Sequence, residues 1–557
     1  MKMIKAHLKN RMIAAIAASA LLNIGRMIYL DNDLGRLITR PAEIAAYTAA
    51  SLVVFFLFFY VVDLALPALS GKKGSDDSFF SASGKAGTVR SGFLARCHRY
   101  LPLAEGLLVF IMNLLAFLAY FPGIFSYDID YQTWQAAGSI PLNNHHPVLH
   151  TLIWKAFYDL EQLTGVRYLG ITAYGILQIL VVSITAAWLM KKVGEYGMPT
   201  TARLVFLILT LFMPHMAIFS MIPTKDVYFA CALIVFTVKA FEIAWENANE
   251  HRVGTKKGDR TLKQPLELLI FGVLACLLRN NMLYVVILLL AVSLAVRYPK
   301  RLVLSLAGII AVVLLMTMVI FPASGVERGP VGESMSIPMQ QLARAYETGE
   351  NVLTVDEREQ IRMYLPEVTR YNPRFADPIK NSFDEVYYLE HKGEFWSIYF
   401  SIGKKMPGTY LDAFLATNVD YWYLFAETSD PFADREYIET GIYRVDEYPM
   451  ERASLLPGLY QSLETWAHFE NGFMKRFPIL YTLAAPFAFV YVLAYVILRR
   501  GGKPFGPILV IYGGLLATYL LGPVSNFRYV YPLFLAMPLL VFPIFCIRGL
   551  KFSEEDL

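Results

Sequence analysis

The stretch FPGIFSYDIDYQTWQAAGSIPLNNHHPVLHTLIWKAFY, residues 121–158, gathers the side chains best suited to chemistry. Asp128 and Asp130 stand two apart among aromatic residues. A carboxylate held against apolar surface serves as a general base, because desolvation raises its pKa toward the working range. Two carboxylates at this spacing could also share a divalent cation, Mg or Mn, with phosphate oxygens, which would make Asp128 and Asp130 metal ligands. The plainer reading is that both acids solvate a loop or cap the helix that follows. His145, His146 and His150 surround Pro147. They suit phosphate contact or acid assistance, so Asp130, His145 and His146 are candidates to meet an acceptor or a metal. His146 and His150 at i, i+4 form the possible imidazole pair for a metal, and interfacial hydrogen bonding is the bland alternative.

Three cations elsewhere in the chain complete the set. Lys225 lies in the turn PHMAIFSMIPTKDVYF, where Pro223 separates two apolar segments. The neighbouring Asp226 opens the next helix and complements its dipole. Arg279, in Arg279-Asn280-Asn281, sits where two apolar segments meet, and a charge at such depth lines a cavity or pairs with another group. Arg528, in NFRYVYPLF, enters the last apolar segment with Tyr529 and Tyr531 beside it. Lys225, Arg279 and Arg528 are therefore candidates to hold a phosphate, while ordinary interfacial anchoring would also account for Lys225 and Arg528.

The elements that must position these residues are membrane helices. The chain has 557 residues, 56% hydrophobic and 17% charged, more apolar surface than a soluble fold can hide. Crossing a hydrocarbon core takes about 20 apolar residues as a helix, and backbone polar groups in lipid must be satisfied within the segment. Spans are expected near 12–30, 45–69, 103–121, 167–190, 203–222, 226–244, 265–279, 281–296, 302–321, 478–498, 505–523 and 528–547. The fold class is thus an all-α polytopic membrane protein with about twelve transmembrane helices. Ala18-Ser19-Ala20 resembles a signal-peptide cleavage site, but the apolar stretch before it is short, and the first span reads as a retained anchor.

Basic residues in short connections stay on the cytoplasmic side. Lys2, Lys5, Lys9 and Arg11, then Lys72, Lys73, Lys85, Arg90, Arg96 and Arg99, then Lys191 and Lys192, fall on one side. Arg252, Lys256, Lys257, Arg260 and Lys263 join them, as do Arg297, Lys300 and Arg301, Arg499, Arg500 and Lys503, and Arg548 and Lys551. Both termini are then cytoplasmic and the number of spans is even. The opposite face holds residues 121–166, the turn around 224, 279–281, 322–477 and 524–528. These segments include every candidate above, which places the site outside the cytoplasm.

Three regions follow: an N-terminal transmembrane module at 1–321 with its external loop at 121–166, an extracytoplasmic domain at 322–477, and closing helices with a short cytoplasmic tail at 478–557. The middle region reads as mainly α-helical, with a capping box at Thr354 and Glu357. Its aromatic run FWSIYFSIGKKMPGTYLDAFLATNVDYWYLF could stack on sugar rings or form a packed core. GESMSIPMQQ, residues 332–341, could lie over the cavity. Cys97, Cys231, Cys276 and Cys546 are scattered, none in the middle region, which indicates neither a zinc site nor a disulfide framework. The net charge of +4 reflects the cytoplasmic bias, with no basic tract for nucleic acid, and no phosphate loop, HExxH or internal repeat is present.

With these residues in view, the chain resembles the GT-C superfamily of integral membrane glycosyltransferases, in a bacterial branch. The resemblance rests on Asp128 in FPGIFSYD, the downstream HHP with its amphipathic helix, the PTKD turn, and a late extracytoplasmic domain before a few closing spans. It implies transfer of a sugar, with inversion, from a polyprenyl-phosphate-linked donor to a glycan, lipid or protein acceptor on the outer face of the bacterial cytoplasmic membrane. It also implies that Asp128 acts as base or orients the acceptor, and that Lys225, Arg279 and Arg528 hold the donor phosphate. Asp130 departs from the commonest adjacent acidic pair, which leaves the divalent metal open. Rival classes are a secondary transporter or flippase and a lipid-linked glycan polymerase or acyltransferase. A transporter should show halves of matching hydropathy and ionisable groups at the midplane, whereas here the insertion is lopsided and the charges cluster at the outer ends.

Overall fold

In the computed structural model the described residues are 2–69, 91–211, 213–253, 262–426, 437–470, 481–500 and 502–546. Lys72, Lys73, Lys85, Arg90, Lys256, Lys257, Arg260, Arg548 and Lys551 lie outside them. The described chain is helical throughout, and its extended contacts are isolated bridges.

Six helices are long and apolar enough to cross a membrane: Leu8–Asp31, Pro41–Ala65, Tyr100–Ala119, Leu169–Glu195, Lys225–Glu246 and Lys300–Ala323. A seventh crossing is available if Phe527–Leu535 and Met537–Phe545, bent by 59°, count as one span. The other expected spans are shorter or broken, for local reasons. Pro214 starts a fresh helix, Pro214–Phe219, after Thr200–Leu211, so the apolar run 203–222 is not one rod. Arg279 turns to an extended backbone and separates Lys263–Leu278 from Met282–Val296. Pro538, one residue into Met537–Val541, lacks the N–H that would have continued Phe527–Leu535.

The helix that starts at Lys225 is the axis of the assembly. Of its most apolar window 78% is buried inside the protein, against 11% for Pro41–Ala65, which faces outward along most of its length. An apolar core dominated by these helices runs through the molecule.

A second core belongs to residues 331–410, built from Met339, Leu342, Ile361, Phe395, Ile402 and Tyr410 among others. The capping box is present: Thr354 Oγ1 accepts from Glu357 N at 3.2 Å and Glu357 Oε2 accepts from Thr354 N at 3.0 Å. Phe395 and Tyr410 are buried in this core while Phe400 and Phe425 are exposed, so the aromatic run packs the unit with only part of its side chains. Arg374, 2% exposed, donates to the carbonyls of Ile28 and Tyr29 and ties this unit to the first helix.

Two segments of this middle region reach one common end of the long helices. Tyr421 Oη donates to Val524 O and Ser525 Oγ donates to Thr417 O, which fixes the turn before Arg528. Residues 437–453 run along the loop after Tyr100–Ala119. Phe125 and Ile442 form a parallel bridge, and Arg452 donates to the carbonyls of Tyr120, Gly123 and Thr440.

Candidate active site

Asp128 immediately precedes the helix Ile129–Ala137 but does not cap it, since its carboxylate makes no bond to the helix N-terminus. Instead Oδ1 accepts from Arg528 Nη1 at 2.9 Å and Oδ2 accepts from Lys225 Nζ. Three short-range devices aim these groups. Pro223 and Thr224 end the preceding turn, Thr224 Oγ1 accepts from Asp226 N, and Lys225 is the first residue of its helix. Asn526 caps Phe527–Leu535 by accepting from Arg528 N at 3.1 Å. Tyr127 has φ of 61°, the left-handed region that a bulky residue adopts only when held there. Its N–H donates to Glu439 Oε2 at 3.3 Å and its hydroxyl oxygen accepts from Glu439 N at 3.0 Å.

His146 Nδ1 lies 3.5 Å from both Asp128 Oδ2 and Lys225 Nζ. Burial drives its pKa well down, only partly offset by Asp128, so the ring is neutral. His145 stands one step out, its ring 4.2 Å from that of His146 and its Nδ1 3.8 Å from Glu333. The segment 327–333 therefore reaches this loop. Its approach is close: a Cβ on Gly329 would stand 2.8 Å from His145 Cα. His150 is not at the site. It is fully buried, hydrogen-bonded to Gln132 Oε1 at 2.9 Å and Tyr174 Oη at 2.8 Å, with its pKa pushed down to about 3 by burial, so His146 and His150 do not share a metal.

Arg279 is buried and does not contact Asp128 directly. It pairs with the buried Asp226, and its guanidinium lies 4.6 Å from the Tyr529 ring centroid and 5.1 Å from that of Tyr519. The two ion pairs are adjacent: Lys225 and Asp226 are consecutive, and Arg528 donates to Tyr529 Oη at 2.9 Å. Asp226 thus neutralises an arginine instead of serving only the helix dipole, and Arg279 stands behind Arg528.

The electrostatics reverse one expectation. Burial alone would raise the pKa of Asp128, but Arg528 and Lys225 more than offset it and hold the carboxyl well below the usual range. Asp128 is an anion and a weak base here. Asp130 is pushed up by burial, while its Oδ1 accepts from Tyr131 N at 2.6 Å. Both oxygens of Asp128 already face cations, and among the described residues no three His, Cys, Asp or Glu side chains are grouped to hold a metal. The pair Asp128 and Asp130 does not fit a divalent ion in this arrangement.

Glu439 and Tyr443 escaped the sequence reading. Nothing in YIETGIY marks them, and only the pairing of 437–443 along 125–127 brings Glu439 beside Asp128.

Residues 125–552 match a family of unknown function, DUF6020. The chain belongs to that family. The matched residues begin three before Asp128 and take in Lys225, Arg279, Glu439 and Arg528. No curated protein matches the chain, and neither does any solved structure.

Proposed function

We propose that this protein is a membrane glycosyltransferase that moves a sugar from a polyprenyl-phosphate-linked donor to an extracytoplasmic acceptor, a cell-envelope glycan, lipid or protein. The observation that carries the reading is the convergence of Lys225 and Arg528 on Asp128 at one end of the helix bundle. Two cations converge on the one carboxylate of Asp128, an arrangement that also accepts a phosphate oxygen as their partner. Lys225 and Arg528 hold the donor phosphate and stabilise the charge that grows on it as the anomeric bond breaks. Asp128 keeps the two cations in register and orients the acceptor. Arg279, paired with Asp226, backs Arg528 from behind.

A lipid-borne donor also suits the bundle. An apolar cavity of about 420 Å³, lined by Leu189, Phe206, Met213, Phe489 and Phe534, lies at the far end of the helix that carries Arg528 and is large enough for part of a hydrocarbon chain. In this reading the shorter apolar helices Thr200–Thr210, Met282–Val296 and Ala485–Leu498 help complete about twelve passes, with the unit built on the second core outside the cytoplasm. Each segment assigned to the outer face then contributes to one cluster: His146 with Asp128, Lys225, Arg279, Glu439 and Arg528.

The test is transfer of radiolabelled sugar from a panel of polyprenyl-phosphate sugars in membranes containing the full chain. Asp128→Asn, folded normally, is expected to lose transfer by about 100-fold or more, and a chelator is expected to change nothing. Transfer at the wild-type rate by Asp128→Asn overturns the site. No transfer by wild type from any donor overturns the reaction class.

A further inference from the structure

We propose that Glu439 is the group that accepts the proton of the attacking hydroxyl, an assignment that rests on the glycosyl-transfer reading above. The argument begins with placement. Tyr443 N donates to Phe125 O at 2.7 Å, Ser126 Oγ donates to Glu439 O at 2.9 Å, and Glu439 N donates to Tyr127 Oη at 3.0 Å. These bonds lay 437–443 along 125–127 and set the Glu439 carboxylate against the backbone of the residue before Asp128. Its Oε2 accepts from Tyr127 N and from the Tyr443 hydroxyl, and its Oε1 has no hydrogen bond among the described residues. Arg528 covers the ring of Tyr127 at 5.6 Å, so the donor-phosphate cation and this carboxylate flank the same tyrosine.

Two carboxylates in one site with unlike surroundings divide acid–base work between them. Asp128 lies between two cations and has little affinity for a proton. Glu439 is held by neutral donors, in a half-buried setting beside a second negative charge. Burial pushes its pKa up; Tyr443, Arg528 and the Tyr127 N–H offset part of that rise, and Asp128 adds to it. The carboxylate is accordingly the better base of the two near neutrality.

The step balances as follows in atoms and charge. The acceptor hydroxyl oxygen bonds to the anomeric carbon from the face opposite the phosphate, and the bond from that carbon to the phosphate oxygen breaks. The electron pair stays on the phosphate, beside Lys225 and Arg528. The hydroxyl proton passes to Glu439, which later gives it to water. The products are an inverted glycoside and polyprenyl phosphate.

The experiment uses the full chain in native membranes and the polyprenyl-phosphate sugar on which wild type is active. Glu439→Gln is expected to lower kcat by about 100-fold or more with KM for the donor within about threefold. Tyr443→Phe removes a donor to the carboxylate, so its pKa rises and the acid limb of the pH–rate profile moves to higher pH. The groups facing Glu439 that set this limb are Tyr443, Tyr127, Arg528 and Asp128. Glu439→Gln at the wild-type rate overturns the assignment while leaving the glycosyl-transfer reading intact. If Glu439→Gln does not fold, an unmoved acid limb in Tyr443→Phe overturns it instead. Absence of transfer by wild type overturns both.

Discussion

Lys225 and Arg528 reach the two oxygens of Asp128 across 97 and 400 residues of sequence. Each cation is partly buried, so its contact with Asp128 is less screened by water than a surface ion pair. If both hold the donor phosphate, Lys225→Ala and Arg528→Ala should lower kcat/KM by about 10- to 100-fold, chiefly through KM. Arg528→Lys should recover only part of this, because it removes one of two guanidinium contacts, to Asp128 and Tyr529. Steady-state kinetics over a range of donor concentrations would check it, and an unchanged KM in both alanine variants would remove the phosphate role. Aspartate, lysine and arginine in this set were legible as chemistry from residue type alone. That Asp128 is held strongly acidic was not legible, since it depends on which cations face it.

Among the elements, the helix Val148–Thr164 shows how a histidine in a motif becomes structural. His150, Thr151 and Trp154 form its buried face, and Gln132, Tyr174 and Thr133 satisfy their polar atoms or those of their neighbours. His150 titrates at about 3 in the folded chain, against 6.5 for a free imidazole. Between those values the unfolded chain binds more protons, so this stability is complete above about pH 6.5 and is lost as pH falls below it. The thermal midpoint of the solubilised protein should therefore drop from pH 7 to pH 5, and His150→Gln should flatten part of that slope. An identical slope in the variant would show that His150 is not buried as a neutral ring. The alternation of types along 145–150 could not distinguish His146 from His150, because the helix begins between them at Val148 and turns the two rings to different neighbours.

At the scale of the molecule, charged side chains collect at the two ends of the helices. One end brings together Asp128, Lys225, Arg279, Glu439 and Arg528. The opposite ends carry their own pairs, Arg203 with Glu105 at 2.5 Å, Lys239 with Glu267 at 2.9 Å and Arg301 with Glu246 at 2.9 Å. The proposed topology predicts that single cysteines at the exposed Glu359 and Ser139 react with a membrane-impermeant maleimide in intact cells, while one at the exposed Lys300 reacts only after lysis. Labelling of all three from outside, or of none, would overturn the orientation. The helical class and six of the expected crossings were legible in hydropathy. The other expected spans are shorter or broken helices in the structure; in three places Pro214, Arg279 and Pro538 interrupt apolar runs whose composition alone looks continuous.

Composition and the placement of lysine and arginine determine by themselves that this chain is a helical membrane protein, and they put its reactive side chains at common ends of the helices. Both follow from the cost of moving polar groups into hydrocarbon, which every local segment feels regardless of its neighbours. Only the tertiary structure decides which cation meets which carboxylate. It leaves Lys225 and Arg528 with Asp128, sends Arg279 to Asp226, and lays Glu439 along Tyr127, through contacts between segments 53 to 400 residues apart. Proton affinity at such a site depends on those few ångströms, and no spacing in the chain encodes them.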